Sequence, residues 1–246
     1  KYGPLMAQRG DTPLRINEIP DTGTDTSKNL ALKTAKGLGL DPALLYSSAM
    51  EEGMSGLYPD KNKQVDYSGN EKFPVNGFAN FGLDTFSDAY EGLVKRGYLP
   101  ADFSKNFTKR VQENEKGQKV NSADFKNADA ALQAKAAMIK ASDDEIGDFA
   151  KQSNIQLSPQ ARQFFTLVNY NAGNTNAKKM LQEYNQKGYL KDDGFLNKRP
   201  DESWKGPYEN VIRRMKMAEA LKKEGLFDEE GNSTASTVKP MLRVSK

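Results

Sequence analysis

Along most of this chain the apolar positions recur at three- and four-residue intervals, the spacing of one face of an α-helix. Leu30, Leu32 and Ala35 mark a short helix over 27–37 that ends at Gly37. Asp41-Pro42 starts a second: the carboxylate can accept from the first free backbone N–H groups, and proline suits the first helical position. That helix runs through Ala43-Leu44-Leu45-Tyr46-Ser47-Ser48-Ala49-Met50 into Glu51-Glu52-Gly53. Phe86, Tyr90, Leu93 and Val94 stand at i, i+4, i+7 and i+8, and Gly97 and Pro100 stop that run. Asp124 to about Ala141 is alanine-rich, with Leu132, Ala136 and Ile139 on one stripe. Ser142-x-x-Glu145 reads as a capping box that opens a separate helix with Ile146, Phe149 and Ala150. Ser158-Pro159 opens the most apolar helix, with Phe164, Phe165, Leu167 and Val168. Pro207 opens the last, with Tyr208, Val211, Ile212, Met215 and Leu221 on one side.

Residues 54–80 break this pattern with several Gly, Pro and Asn, which predicts a long loop or a small hairpin and no other strand of useful length. Residues 1–26 carry Pro4, Pro13 and Pro20 and little periodicity, as an extended arm or linker would. Residues 226–246 read as a polar tail, which leaves one domain over 27–225. The expected class is mostly α.

Two zeros in the composition narrow the chemistry. The 246 residues hold no His and no Cys, so His-dependent triads, His-ligated zinc, thiol nucleophiles and disulfides are all excluded. An enzyme of this composition works with carboxylates, Lys, Tyr, Ser or Thr. The 12 Phe, 10 Tyr and one Trp oppose disorder throughout, despite a mean hydropathy of −0.78. A net charge of +3, from 36 basic against 33 acidic residues, is too balanced to indicate nucleic-acid recognition. No apolar run is long enough to span a membrane. The first residue is Lys1 and no signal-peptide pattern follows, as expected for a segment of a longer chain.

Two stretches carry candidate chemistry. The 41–53 helix ends in two acids beside a glycine, at the edge of a face that should be buried. Desolvation there, together with the negative end of the helix dipole, raises a carboxyl pKa and suits a proton donor to a glycosidic oxygen. A solvated acid pair at a helix end fits the same residues. Asn169-Tyr170-Asn171-Ala172-Gly173 supplies neutral hydrogen-bonding groups at a helix terminus, suited to holding a sugar N-acetyl group. A plain C-cap with Gly173 in a left-handed conformation explains it equally.

Taken in order, these segments resemble the lytic transglycosylases of the lysozyme-like superfamily, over roughly residues 27–190. Asp41-Pro42-Ala43-Leu44-Leu45 leads to Glu52 as that family's first motif leads to its catalytic Glu, with Gly53 where Ser is usual. Gly82-Leu83-Asp84-Thr85 stands where the family has Gly-Leu-Met-Gln. Asn127-Ala128-Asp129-Ala130-Ala131-Leu132 resembles its alanine-rich third motif. Asn169-Tyr170-Asn171-Ala172-Gly173 resembles its Ala-Tyr-Asn-Ala-Gly, with Asn169 for Ala.

The resemblance implies a lysozyme-like helical domain that cleaves peptidoglycan glycan strands between N-acetylmuramic acid and N-acetylglucosamine. Glu52 is then the catalytic residue, first as acid and then as base while the muramyl 6-hydroxyl closes a 1,6-anhydro ring. Tyr170, Asn171, Thr85 and Asp84 are then substrate-binding. Neither a metal nor an organic cofactor is implied. A role for Asp84 as second carboxylate would turn the reaction into hydrolysis by water, as in a muramidase. The context expected is a phage virion module that opens the cell wall, with other virion proteins as neighbours; a periplasmic or cell-wall remodelling enzyme and a virion component that has lost activity are the alternatives.

Overall fold

The computed structural model describes residues 27–53, 86–113, 119–125, 128–191, 196, 198, 204–223 and 227. Among them the chain is mostly helical. Helix α1 spans Ser27–Leu38, α2 Pro42–Gly53 and α3 Phe86–Lys95. A ribbon of β1, Phe107–Glu113, and β2, Lys119–Phe125, precedes α4, Ala128–Gln152. Then come α5, Pro159–Ala172, α6, Asn174–Gln186, and α7, Lys205–Lys223.

Local chemistry sets the helix ends as the sequence predicts at several points. Asp41 Oδ1 accepts from Ala43 N at 2.9 Å and Leu44 N at 3.3 Å, which caps α2, and Ser158 Oγ accepts from Ala161 N at 3.1 Å ahead of Pro159. Gly97, at φ +75°, turns the chain after α3. Every residue from Pro42 to Ala49 is buried, so α2 is a core helix enclosed by α1, α4 and α7. Buried Ala130, Ala131, Ala134, Ala136 and Ala137 let α4 take close neighbours, chiefly α5 and α1.

Three expectations are corrected. The long loop or small hairpin expected over 54–80 lies outside the described residues, but the expectation of no other strand is overturned by two at 107–113 and 119–125, antiparallel, with Phe107 opposite Phe125. Among its described side chains, the base of that ribbon is the buried part. Phe107 and Phe125 are buried and set their rings 5.1 Å from Phe86, while the outer positions Thr108, Lys109 and Val111 are exposed. Asp124 therefore belongs to β2, and the alanine-rich helix starts at Ala128.

The second correction concerns Ser142. It is a buried mid-helix residue of α4, and Glu145 is no capping partner. The polar run Asp143-Asp144-Glu145 continues the helix because each acid has a partner on another element. Asp143 takes Arg162 Nε at 2.7 Å, Arg162 Nη2 at 2.9 Å and Thr166 Oγ1 at 3.2 Å from α5. Asp144 takes the Tyr98 hydroxyl and, at 2.7 Å, Lys140 Nζ. Glu145 reaches the α5–α6 corner, described below.

Third, α6 occupies 174–186, where no helix was expected, and α7 begins at Lys205, two residues before Pro207. Phe227, within the stretch read as tail, is buried and stacks at 5.8 Å against Tyr46 of α2. The proposed arm over 1–26 lies outside the described residues.

Candidate functional site

Glu51 and Glu52 occupy the last turn of α2, and their side chains lie outside the described part of the structure. Asp84 and Thr85, with the rest of the Gly-Leu segment, also fall outside it. The description of the site therefore starts from α7, which packs on α2, and from the surroundings of Tyr170.

Helix α7 packs along α2, and Lys222 Nζ binds Asp41 Oδ2 at 2.6 Å. That bond joins the start of α2 to the end of α7, so lengthwise packing requires the two to run antiparallel. Arg214 stands eight residues before Lys222 on α7.

Arg214 is 4% exposed, and its guanidinium carbon stands 6.0 Å from the centre of the Tyr170 ring. Lys135 of α4 is fully buried; its ammonium donates to the Tyr170 hydroxyl at 3.1 Å and lies 4.7 Å from the same ring centre. Two buried cations from different helices thus converge on the tyrosine of the Asn-Tyr-Asn-Ala-Gly segment. Taking each cation out of water costs several kcal/mol, so chance burial of two is disfavoured. Asn171, next in sequence, is exposed, so the two expected substrate-binding residues differ in environment.

A separate clamp fixes the segment that carries Tyr170. Buried Asn169 donates through Nδ2 to Glu145 Oε2 at 3.0 Å and to the Ser142 carbonyl at 3.3 Å. Asn174 Nδ2 donates to the same Glu145 oxygen at 2.6 Å, and Arg96 Nη1 stands 3.9 Å from Glu145 Oε1. Between the two asparagines, Gly173 turns the chain at φ +83°, ψ 160°, outside the left-handed helical region expected for it and open essentially to glycine alone. Asn169 and Asn174 thus tie this segment to α4 through Glu145.

Next to the clamp, Asp144 and Tyr98 are electrostatically coupled. Burial works against the Asp144 carboxylate, but hydrogen bonds from Lys140 and Tyr98 and the charges of Lys140 and Arg162 outweigh it and hold its carboxyl below the ordinary range. Burial and the bond to Asp144 push the Tyr98 hydroxyl up, and the bond to Asp144 raises Lys140.

A small pocket of about 90 Å³ opens at the other end of α2, between Leu44, Leu45, Ile139, Gln163 and Thr166. Leu44 is eight residues, about 12 Å, from Glu52, so this pocket is separate from the Glu52 turn.

Sequence reasoning missed Lys135, Arg214, Glu145 and Asn174. Lys135 and Arg214 had a signal. Lys135 falls three residues after Leu132 and four before Ile139, and Arg214 three after Val211 and seven before Leu221, so both sit on apolar stripes where a cation is out of place. No known protein family, curated protein or solved structure matches the chain. Among the described residues no helix is long and apolar enough to cross a membrane.

Proposed function

We propose that this chain is a lysozyme-like lytic transglycosylase that cuts peptidoglycan glycan strands, with Glu52 as the acid and base. The observation that supports the reading is the setting of Tyr170: its hydroxyl accepts from buried Lys135, and its ring stands 6.0 Å from the Arg214 guanidinium of α7, a helix that packs on α2, whose last turn bears Glu52. In this reading the two segments, 118 positions apart in the chain, serve one site.

In this mechanism Glu52 protonates the glycosidic oxygen and the leaving N-acetylglucosamine departs. The N-acetyl group of the muramyl residue stabilises the developing cation. The Glu52 carboxylate then accepts the proton of the muramyl 6-hydroxyl as that oxygen closes the anhydro ring, which returns Glu52 to its starting form. Tyr170, Asn171, Thr85 and Asp84 hold the sugars. No residue type absent from the chain is needed. The setting we propose is a virion-associated or cell-wall location. Mass spectrometry of sacculi digested with the purified protein tests the reaction: muropeptides ending in 1,6-anhydromuramic acid support it, reducing ends instead indicate a hydrolytic muramidase, and undigested sacculi of several chemotypes indicate a structural virion component.

A further inference from the structure

We propose that the pocket between α2, α4 and α5 receives the acetamido group of an N-acetylated saccharide, as a second point of contact apart from the Glu52 turn. The choice of a saccharide as bearer of the group rests on the function proposed above; the group itself follows from the walls of the pocket. At about 90 Å³ the pocket holds a few water-sized atoms, so it admits one protruding group and leaves the rest of the bearer outside. Its floor is apolar: Leu44 and Leu45 of α2 and Ile139 of α4 are all buried. A hydroxyl or an ion set against them loses water without replacement, whereas a methyl group gains by the contact.

Charge at the rim is balanced. Asp41 takes Lys222 at 2.6 Å, and Asp143 takes Arg162 at 2.7 Å with Lys140 3.6 Å away. Each carboxylate has its own cation, so the rim draws in neither a metal ion nor an ammonium group, and its carboxylate oxygens repel an anion. The occupant is neutral. Thr166 already donates to Asp143, at 3.2 Å. Gln163 is different: its half-buried amide lines the pocket and has no hydrogen-bond partner among the described residues, so its Nε2 is free to donate. Asp41 accepts from two backbone amides and from Lys222, and a carboxylate offers about four acceptor sites, so it can take a further N–H. A methyl group for the floor, a carbonyl for Gln163 and an N–H for Asp41 together make an acetamido group. A sugar hydroxyl lacks the methyl, and a free amine lacks the carbonyl and carries charge.

The test is methyl and side-chain amide NMR of the full chain, titrated with the trimer of N-acetylglucosamine and, in parallel, with the deacetylated glucosamine trimer and with Nε-acetyllysine. The methyl signals of Leu44, Leu45 and Ile139 and the amide signal of Gln163 should shift and saturate with the acetylated trimer, and stay in place with the deacetylated one. Gln163→Leu, at a half-buried position of α5 where leucine suits the helix, should weaken this binding by about 2–10-fold, the scale of one net hydrogen bond. Equal shifts with both trimers, no saturable shift, or an unchanged affinity in Gln163→Leu overturns the proposal. Saturation by Nε-acetyllysine with none by the acetylated trimer overturns the saccharide as bearer. Release of anhydromuropeptides by a protein whose pocket signals never move ends this inference and keeps the reading of Glu52; saturation of the pocket beside undigested sacculi does the opposite.

Discussion

Asn169 Nδ2 donates to Glu145 Oε2 at 3.0 Å, a bond that helps tie the Tyr170 segment to α4. Asn174 adds a second donor to the same oxygen from the far side of the Gly173 turn. Glu145→Ala removes the acceptor for both and leaves the 4%-exposed Asn169 amide with only the Ser142 carbonyl. The expected cost is about 1–3 kcal/mol, read from urea unfolding. Asn169→Ala in the Glu145→Ala background should cost clearly less than in wild type, because the shared bond is already gone.

Gly147 makes a prediction whose sign reverses with the background. Alanine in place of a mid-helix glycine ordinarily stabilises by roughly 1 kcal/mol. Here a Cβ would stand 2.6 Å from Arg162 Nη2, and Asp143 holds that guanidinium in place through two side-chain bonds. Gly147→Ala should therefore destabilise the wild type. Beside Arg162→Met, which clears the space, it should stabilise. Melting temperatures of the four proteins check both signs.

The Tyr98–Asp144–Lys140 cluster sets a pH window. The folded-state pKa of Asp144 is depressed, so its contribution to stability is present above the unfolded value of about 3.9 and is lost as pH falls through the lower folded value. Tyr98→Phe removes one of the groups that depress it, so the variant should acid-unfold at a higher pH than wild type. Lys140 and Tyr98 are both raised, so their contributions are present below unfolded values of about 10 and fade as pH rises through the folded ones. Stability against urea, measured from pH 2 to 11, traces both edges.

Asp41 serves two partners, the α2 amides and Lys222. Asp41→Ala should cost about 1–2 kcal/mol through the lost cap, and more through the register of α7. Asp41→Asn keeps the cap through Oδ1 and loses the charge and the acceptor that face Lys222, so it should cost less than Asp41→Ala. Urea midpoints of the two variants rank them.

How much of this was legible in the sequence depended on whether a residue's partner was local. Asp41-Pro42 and Ser158-Pro159 announced helix starts because the cap and its N–H donors lie within three residues. Ser142-x-x-Glu145 imitated the same signal, and the imitation failed because the partners of the acidic run lie on α5, α6 and the turn after α3. The strands escaped notice because Thr-Lys-Arg-Val-Gln-Glu shows no apolar alternation; among the described side chains of the ribbon, Phe107, Ala123 and Phe125 at its base enter the core. Helix α6 is polar apart from buried Ala177, Met180, Leu181 and Tyr184. Tyr170 stands in a segment that the sequence singles out, whereas the two cations beside its ring depend on the packing of α4 and α7 against α5.

The central claim is that the last turn of α2 performs proton transfer on a glycan. Its most direct measurement is the rate at which wild type, Glu52→Gln and Glu51→Gln release 1,6-anhydromuropeptides from purified sacculi, followed by mass spectrometry. The account predicts anhydro products from wild type, little change for Glu51→Gln, and a loss of roughly 10²–10⁴-fold or more for Glu52→Gln, the scale of a missing proton transfer. Anhydro release by Glu52→Gln at the wild-type rate, or none from the wild-type protein, would contradict it.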